Sequence, residues 1–310
     1  MFLIKYSRVL ILGSGPSGCT ASIYLSRSGL NPLLITGSNV NGQLINTDLE
    51  NWPGFTFIKG SLLMNNILNH IKNIRTEIIF DSIYTIDILK KPNLFFGLIF
   101  NFFSDFIIVS TGSKPKYLFL KNEIKYFGKN ISFCSICDGN FYKNKKIAIV
   151  GGGNSSIENS LYLSSIVKKI ILIHRSLIFK ADFILINSFF KKKNIIYRLN
   201  FFIYDLIGDF FYIKYIKIKN KINNILNIIS IDGLFVFIGN LPNSNIFLGQ
   251  LLINIKNYII TYNHANITSI NGVFACGDIH DCLYKQAIIS SGSGCSAALD
   301  LINYYNIFNF

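Results

Sequence analysis

Short unbroken apolar runs alternate with glycine-rich polar turns along much of the chain. The first run, Val9-Leu10-Ile11-Leu12, ends at Gly13-Ser14-Gly15-Pro16-Ser17-Gly18, and residues 19–28 then read as a helix. Apolar runs of this length bounded by turn residues suit strands covered on both faces. Residues 33–36 form a second such strand. The longest apolar region, 94–109, is broken by Gly97, Asn101, Ser104 and Asp105. It falls short of the ~20 apolar residues of a membrane helix, and its alternation predicts two buried strands. The opening pattern then recurs. A strand at 146–150 runs into Gly151-Gly152-Gly153-Asn154-Ser155-Ser156, a helix over 157–165 follows, and a strand over 169–173 ends in His174-Arg175. Further on, Val273-Phe274-Ala275 reads as a short strand before Cys276-Gly277-Asp278.

Both glycine turns sit between a strand and a helix, the context a dinucleotide fingerprint requires. In the first, Gly13 permits the tight turn, Gly15 lets the backbone approach a pyrophosphate, and Gly18 lets helix rest on strand. Amides at the helix start then face the anion. In the second, Gly151 and Gly153 repeat the pattern, with Ser156 at the third small position. Neither following strand ends in the carboxylate that normally holds ribose hydroxyls. After the second, His174 and Arg175 stand there instead, and a cation suits the 2′-phosphate of NADP. Either loop alone is compatible with an ordinary glycine turn, but two of them about 140 residues apart support each other. Asp278 is open to two readings, a carboxylate for a polyol chain or part of a turn.

Composition adds limits. The net charge is +14, from 30 Lys and Arg against 16 Asp and Glu. Nucleic acid or an acidic membrane would suit such a charge. Abundant Lys, Ile, Asn and Phe with little Ala points instead to A- and T-rich codons, so neither partner is expected. Lys191-Lys192-Lys193 reads as solvated surface. No secretion signal is visible at the N-terminus, and six cysteines in a chain of 310 residues make no disulfide scaffold. A cytoplasmic location is therefore expected.

Cys134 and Cys137 are two residues apart and Asp138 follows directly. A structural zinc takes four ligands, whereas this chain has one such pair and four histidines, His70, His174, His264 and His280, with no chelating spacing. No metal site is expected, which leaves a redox pair or an inert one. A turn entering a helix brings two such sulfurs within bonding distance and lowers a thiol pKa. Asp138 reads as a proton shuttle or as an N-cap. Phe141, Tyr142 and Lys129 suit a partner's docking surface, with core packing the alternative for the two rings. Cys19, Cys276, Cys282 and Cys295 read as small buried fillers.

Together the motifs ILGSGPSG, LLITG, GQL, ENWPG, FIIVSTG, CSICDG, GGGN, LIHR, GLFVFIG, GVFACGD and KQAIISSGSG resemble, in order and spacing over residues 8–302, the low-molecular-weight thioredoxin reductases. That resemblance implies an α/β fold of two Rossmann-like dinucleotide-binding domains, with an NADPH domain at 115–244 inserted into a discontinuous FAD domain at 1–114 and 245–310. It implies FAD contacts from Gly13, Gly15, Gly18, Thr36, Gly37, Gln43, Asn51, Asp278, Lys285, Gln286 and Ala287. NADPH would be met by Gly151, Gly153, Asn154, His174, Arg175 and Lys180. Electrons would pass from NADPH through FAD to the Cys134–Cys137 disulfide and on to thioredoxin. Cys137 would face the flavin, Cys134 would attack the partner, and Asp138 would shuttle a proton. The family acts as a homodimer and rotates its NADPH domain about segments near 113–116 and 240–245.

The departures from the family pattern are few. Ser176 and Lys180 stand where arginines are common, which weakens the forked recognition of a phosphate. Asn41 replaces the first glycine of GGQ, and Lys285 replaces an arginine. Two rival readings are a flavoprotein serving a peroxiredoxin system, whose relatives carry an added N-terminal region, and a binding-only paralogue without turnover.

Overall fold

A computed structural model describes residues 3–38, 40–46, 48–262 and 266–308. The chain divides into two compact units. One comprises the residues up to Lys114 together with those from Leu241 on, and the other spans Pro115–Asn240. The chain passes between them through two short strands, Ser113–Pro115 and Asn240–Pro242, which pair with each other.

The first unit is built on a seven-stranded sheet. Its parallel part joins Leu3–Leu12 to Leu33–Ile35 on one side and to Phe100–Val109 on the other, and Val273–Ala275 pairs with Phe100–Val109. The two strands expected within 94–109 are Asn93–Gly97 and Phe100–Val109, paired antiparallel. Their turn is held by Asp81, whose carboxylate accepts from the amides of Leu98, Ile99 and Phe100. Both faces of the sheet are covered, which is why the strands read as unbroken apolar runs. Val9, Ile11, Ile108 and Phe274 pack under the helices Pro16–Arg27 and Ala287–Phe308. Leu10, Leu12, Ile107, Val109 and Val273 face the opposite side with Phe95, Phe247 and Ile259.

The second unit repeats the logic. Lys146–Val150 pairs parallel with Lys169–His174 and with Gly233–Val236. Ile147, Ile149, Leu172 and Phe235 meet the Asn154–Ser164 helix through Ile157 and Leu163. Ala148, Val150, Ile173 and Leu234 pack against Ile203, Ile216 and Ile218 of a three-stranded antiparallel sheet. Both glycine helices begin three residues earlier than the apolar pattern predicts, at Pro16 and Asn154. The end of each glycine turn already belongs to the helix, and Pro16 at the first position tolerates this because it has no amide hydrogen to lose. Among the described residues, no helix is long and apolar enough to cross a membrane.

Candidate active site

The first glycine turn divides its positions between packing and open space. A Cβ on Gly13 would lie 2.3 Å from the Ser110 carbonyl oxygen, and one on Gly18 would lie 1.9 Å from that of Gly13. Both glycines are thus required by the protein itself. Around a Cβ on Gly15 there is nothing within 4 Å. Gly15 is the N-cap of the Pro16–Arg27 helix and supplies no side-chain cap, so the first-turn amides face that opening. Beside it, Asn41 is buried and its Oδ1 has no hydrogen-bond partner among the protein atoms. A buried polar atom without a partner is costly, so an orphaned acceptor next to a bare helix N-terminus fits a bound dinucleotide.

Of the other predicted residues of this unit, Lys285 lies beside Asp278 and Gln43 reaches it through Ser113, Asn51 pairs with Gln286, and Thr36 and Gly37 follow the second strand. Asp278 accepts from Ser113 Oγ at 3.2 Å and Ser290 Oγ at 3.1 Å. Gln43 Nε2 donates to the Ser113 carbonyl at 2.5 Å. Burial raises the Asp278 carboxyl above its ordinary pKa, against the pull of Lys285 and the two serine hydroxyls. Lys285, lowered by its own burial, donates to the Asp281 carbonyl and lies 4.7 Å from the Tyr258 ring centre. Asn51 Nδ2 donates to Gln286 Oε1 at 3.1 Å, next to Ala287 at the start of the last helix. Thr36 is buried, and Gly37 takes a positive φ of 74°. Sequence reasoning placed Ser14, Ser110 and Ser290 inside its motifs without giving them a role, and left Ser113 out, because a serine hydroxyl carries no spacing signal of its own. It did contain Gly294, whose absent Cβ lets the last helix lie on Ser17, 2.0 Å from its carbonyl oxygen.

The second glycine turn has the same division. A Cβ on Gly151 would meet Ser156 Cβ at 2.5 Å and the Phe237 carbonyl oxygen at 2.6 Å. Gly153 faces open space apart from the Lys180 carbonyl oxygen at 3.9 Å, and is again an N-cap without a side-chain bond. Ser156, at the third small position, donates to the Gly153 carbonyl. Asn154 is engaged with Asp182 through both ends of its amide. Arg175 and Lys180 are exposed cations, whereas His174 differs from the cationic reading. Its ring is buried against Gly152 and stacks on Phe179. Nε2 lies 3.0 Å from the Ile178 carbonyl, which can only accept, so Nε2 carries the hydrogen. Burial lowers its pKa, as do Arg175 and Lys180. His174 is therefore a neutral support for the loop, and the positive charge there comes from Arg175 and Lys180.

Within the same unit, Cys134 and Cys137 form a disulfide, their Cα atoms 5.4 Å apart. Cys134 caps the short helix Ser135–Asp138, its sulfur accepting from the Cys137 amide at 3.1 Å. The sulfur pair thus sits at the positive end of a helical turn, where a thiolate is stabilised. Asp138 stands at the N-cap position of the next turn, Gly139–Tyr142, but makes no side-chain cap bond there. Its Oδ2 instead accepts from Ser132 Oγ at 2.5 Å. Ser135, between the cysteines, bonds Asn159 on the glycine helix.

Several expectations change. Phe141 is exposed, but Tyr142 is buried, packed on Phe235, with its phenol raised in pKa mainly by burial. Lys129 lies over the rings of Phe210 and Phe211. Cys19 and Cys276 are buried and their thiols are pushed up to about 12, as inert fillers should be. Cys282 is exposed and Cys295 half-buried, because they lie on the loop and helix surface that follow Asp278 and not under the sheet. His264 lies outside the described residues.

The model of the pyridine nucleotide-disulphide oxidoreductase family matches residues 7–294. The chain belongs to that family. A thioredoxin reductase of Buchnera aphidicola subsp. Schizaphis graminum is 48% identical, with 99% of each chain covered. A glucosaminate ammonia-lyase of Pseudomonas fluorescens is 40% identical, covering 98% of this chain and 97% of its own. Among solved structures, a thioredoxin reductase from Giardia duodenalis matches with a TM-score of 0.90 at 31% identity, over 97% of this chain and 99% of that one.

Proposed function

We infer that this chain is a thioredoxin-disulfide reductase, passing electrons from NADPH through FAD and the Cys134–Cys137 disulfide to oxidised thioredoxin. One observation carries the reading: a CxxC disulfide at a helical N-terminus, in the same unit as a bare glycine helix flanked by Arg175 and Lys180. Eliminating ammonia from a sugar acid calls for no dithiol, so the disulfide favours the reductase over the lyase. FAD is assigned to the first unit, at Gly13, Gly15, Gly18, Thr36, Gly37, Gln43, Asn51, Asp278, Lys285, Gln286 and Ala287. NADPH is assigned to the second, with Gly151, Gly153 and Asn154 at its phosphates and Arg175 and Lys180 at the 2′-phosphate. A homodimer in the cytoplasm completes the reading, the dimer resting on family resemblance and the location on a cysteine pattern that makes no disulfide scaffold.

When bound, the two dinucleotides supply a hydride donor and a carrier that delivers two electrons to the disulfide. The protein's own groups do the rest. Reduction leaves Cys134 and Cys137 as a dithiol. Cys134 gives its proton to the Asp138 carboxylate and attacks one sulfur of the thioredoxin disulfide. The departing thioredoxin sulfur takes that proton from Asp138. Cys137 then attacks the Cys134 sulfur, closing the internal disulfide and releasing the second thioredoxin sulfur with the remaining proton. Two electrons and two protons leave the enzyme dithiol and appear on thioredoxin.

The test is an anaerobic assay with FAD, NADPH and thioredoxin, read with a thiol-reactive dye. The expected result is thioredoxin-dependent dye reduction that Cys134→Ser abolishes, while NADPH still bleaches the flavin of the variant. Flavin bleaching with no thioredoxin-dependent turnover by the wild type would refute thioredoxin as the substrate.

A further inference from the structure

Asp138 needs a fixed position in two protonation states, and the hydroxyl of Ser132, at the end of the preceding strand, lies within hydrogen-bond distance of it. Ser132 ends the short strand Ile131–Ser132 and is 4% exposed. Its hydroxyl meets three groups of the redox turn. It lies 2.5 Å from Asp138 Oδ2, it accepts from the Cys134 amide at 3.1 Å, and it is 3.1 Å from the Cys134 carbonyl oxygen. A hydroxyl has one hydrogen to give and two lone pairs to receive with. With Asp138 ionised, that hydrogen goes to Oδ2, at the short distance expected of a bond to a carboxylate. With the proton on Oδ2, Asp138 becomes the donor, and the serine hydrogen turns to the Cys134 carbonyl. In both states the hydroxyl still accepts from the Cys134 amide. The acid is therefore held to the backbone of the attacking cysteine whether or not it carries its proton.

We propose that Ser132 is the positioning residue of the proton-transferring acid, keeping the Asp138 carboxyl in register with Cys134 through the thiol–disulfide exchange. This rests on the reductase reading above. Ser132 touches neither substrate nor sulfur in this role, and its effect passes through Asp138. A misplaced catalytic group can cost up to about 100-fold, and general acid catalysis as a whole contributes roughly 100- to 10,000-fold. Removing the hydroxyl should thus cost about tenfold, within what Asp138 itself contributes.

The experiment uses the holoenzyme in two formats. In steady state, Ser132→Ala should lower kcat for thioredoxin about tenfold with KM nearly unchanged, because docking is not altered. In a single turnover, the chemically reduced and desalted holoenzyme is mixed with oxidised thioredoxin and the thioredoxin thiols are counted. Here Asp138→Asn should be slower than Ser132→Ala, and the double variant no slower than Asp138→Asn alone, since the serine has no acid left to hold. An additive loss in the double variant, or an unchanged rate in Ser132→Ala, overturns the proposal. Should Ser132→Ala fail to fold, Ser132→Thr and Ser132→Val form a matched pair differing by the hydroxyl. Thr retaining the rate while Val loses it supports the role, and equal loss by both overturns it. A wild type inactive on thioredoxin refutes the reductase reading instead, so the two failures are distinct.

Discussion

Two glycines two residues apart in the second turn should give opposite phenotypes when each is changed to alanine. At Gly153 the backbone is extended, with φ −100° and ψ −177°, and an added Cβ would touch only the Lys180 carbonyl oxygen at 3.9 Å. Alanine is a poorer N-cap than glycine, costing about 0.5–1 kcal/mol. Lower freedom in the unfolded chain returns about 0.4–1 kcal/mol. The two nearly cancel, so Gly153→Ala should melt within a few degrees of the wild type. At Gly151 the backbone has φ +153°, and the Cβ would press on Ser156 and the Phe237 carbonyl. The forced shift costs about 1–3 kcal/mol, and the backbone strain a further 1–3 kcal/mol or so. Gly151→Ala should therefore melt several degrees lower or fail to accumulate.

The ligand phenotype runs the other way. The open space at Gly153 is where a dinucleotide phosphate must approach the helix amides, and a methyl group there pushes it off. Gly153→Ala should raise the KM for NADPH at least tenfold, about 1.4 kcal/mol, while its fold stays intact. Thermal denaturation and NADPH titration of both variants read the two effects separately. An unchanged KM in Gly153→Ala would show that the opening is not a phosphate site. An unchanged melting temperature in Gly151→Ala would show that the packing argument is wrong.

Two further outcomes follow from the same geometry. His174 and His280 both have pKa values lowered mainly by burial. The unfolded chain then binds more protons than the folded one just below an ordinary histidine pKa of about 6.5. Stability should fall as pH drops below about 6.5, read by urea unfolding between pH 7.5 and 5.5. Asp281 opposes the shift at His280 and Lys285 adds to it, and the raised Asp278 has the opposite sign. The histidine effect is therefore isolated by His174→Gln and His280→Gln, which should flatten the slope; an unaltered slope in both would exclude it. Separately, Arg175→Ala should raise the KM for NADPH about tenfold more than that for NADH, and Lys180→Arg should widen the preference for NADPH. Equal effects on both nucleotides would place the 2′-phosphate elsewhere.

Most of the fold could be read from the chain because its strands are buried on both faces and its turns are glycine-rich. Lys146–Val150 and Val273–Ala275 are strands with the expected residues, while the strand expected at Val9–Leu12 starts earlier, at Leu3. What escaped the reading depends on which way a side chain turns. Tyr142 and His174 both follow exposed-looking motifs, yet each fills space that a glycine leaves open. A Cβ on Gly233 would meet the Tyr142 ring at 2.2 Å, and one on Gly152 would meet the His174 ring at 2.1 Å. Such pairs are non-local or conformational, so no spacing rule discloses them. The Ser132–Asp138 bond is of the same kind. Both residues are visible, but only the curl of the redox turn brings them together.

The two departures near the proposed flavin site show how the chain keeps its geometry with other residues. Asn41 has φ 71°, in the left-handed region where a side chain is normally strained. Of the eight non-glycine residues with positive φ among those described, six are asparagine. Asparagine is among the few residues that enter this region readily, so in a chain rich in it these turns survive the loss of glycine. At position 41 the backbone amide bonds Ser14 Oγ at 3.0 Å, inside the first glycine turn. The turn is thereby kept, and the side chain brings a buried oxygen that glycine would lack. Lys285 follows the same logic. Its ammonium reaches the Asp281 carbonyl and covers the Tyr258 ring, so the cation is retained although an arginine's fork is not. In both cases the substitution preserves what the backbone requires and changes only the polar atom offered to the ligand, which is where differences from the relatives should be sought.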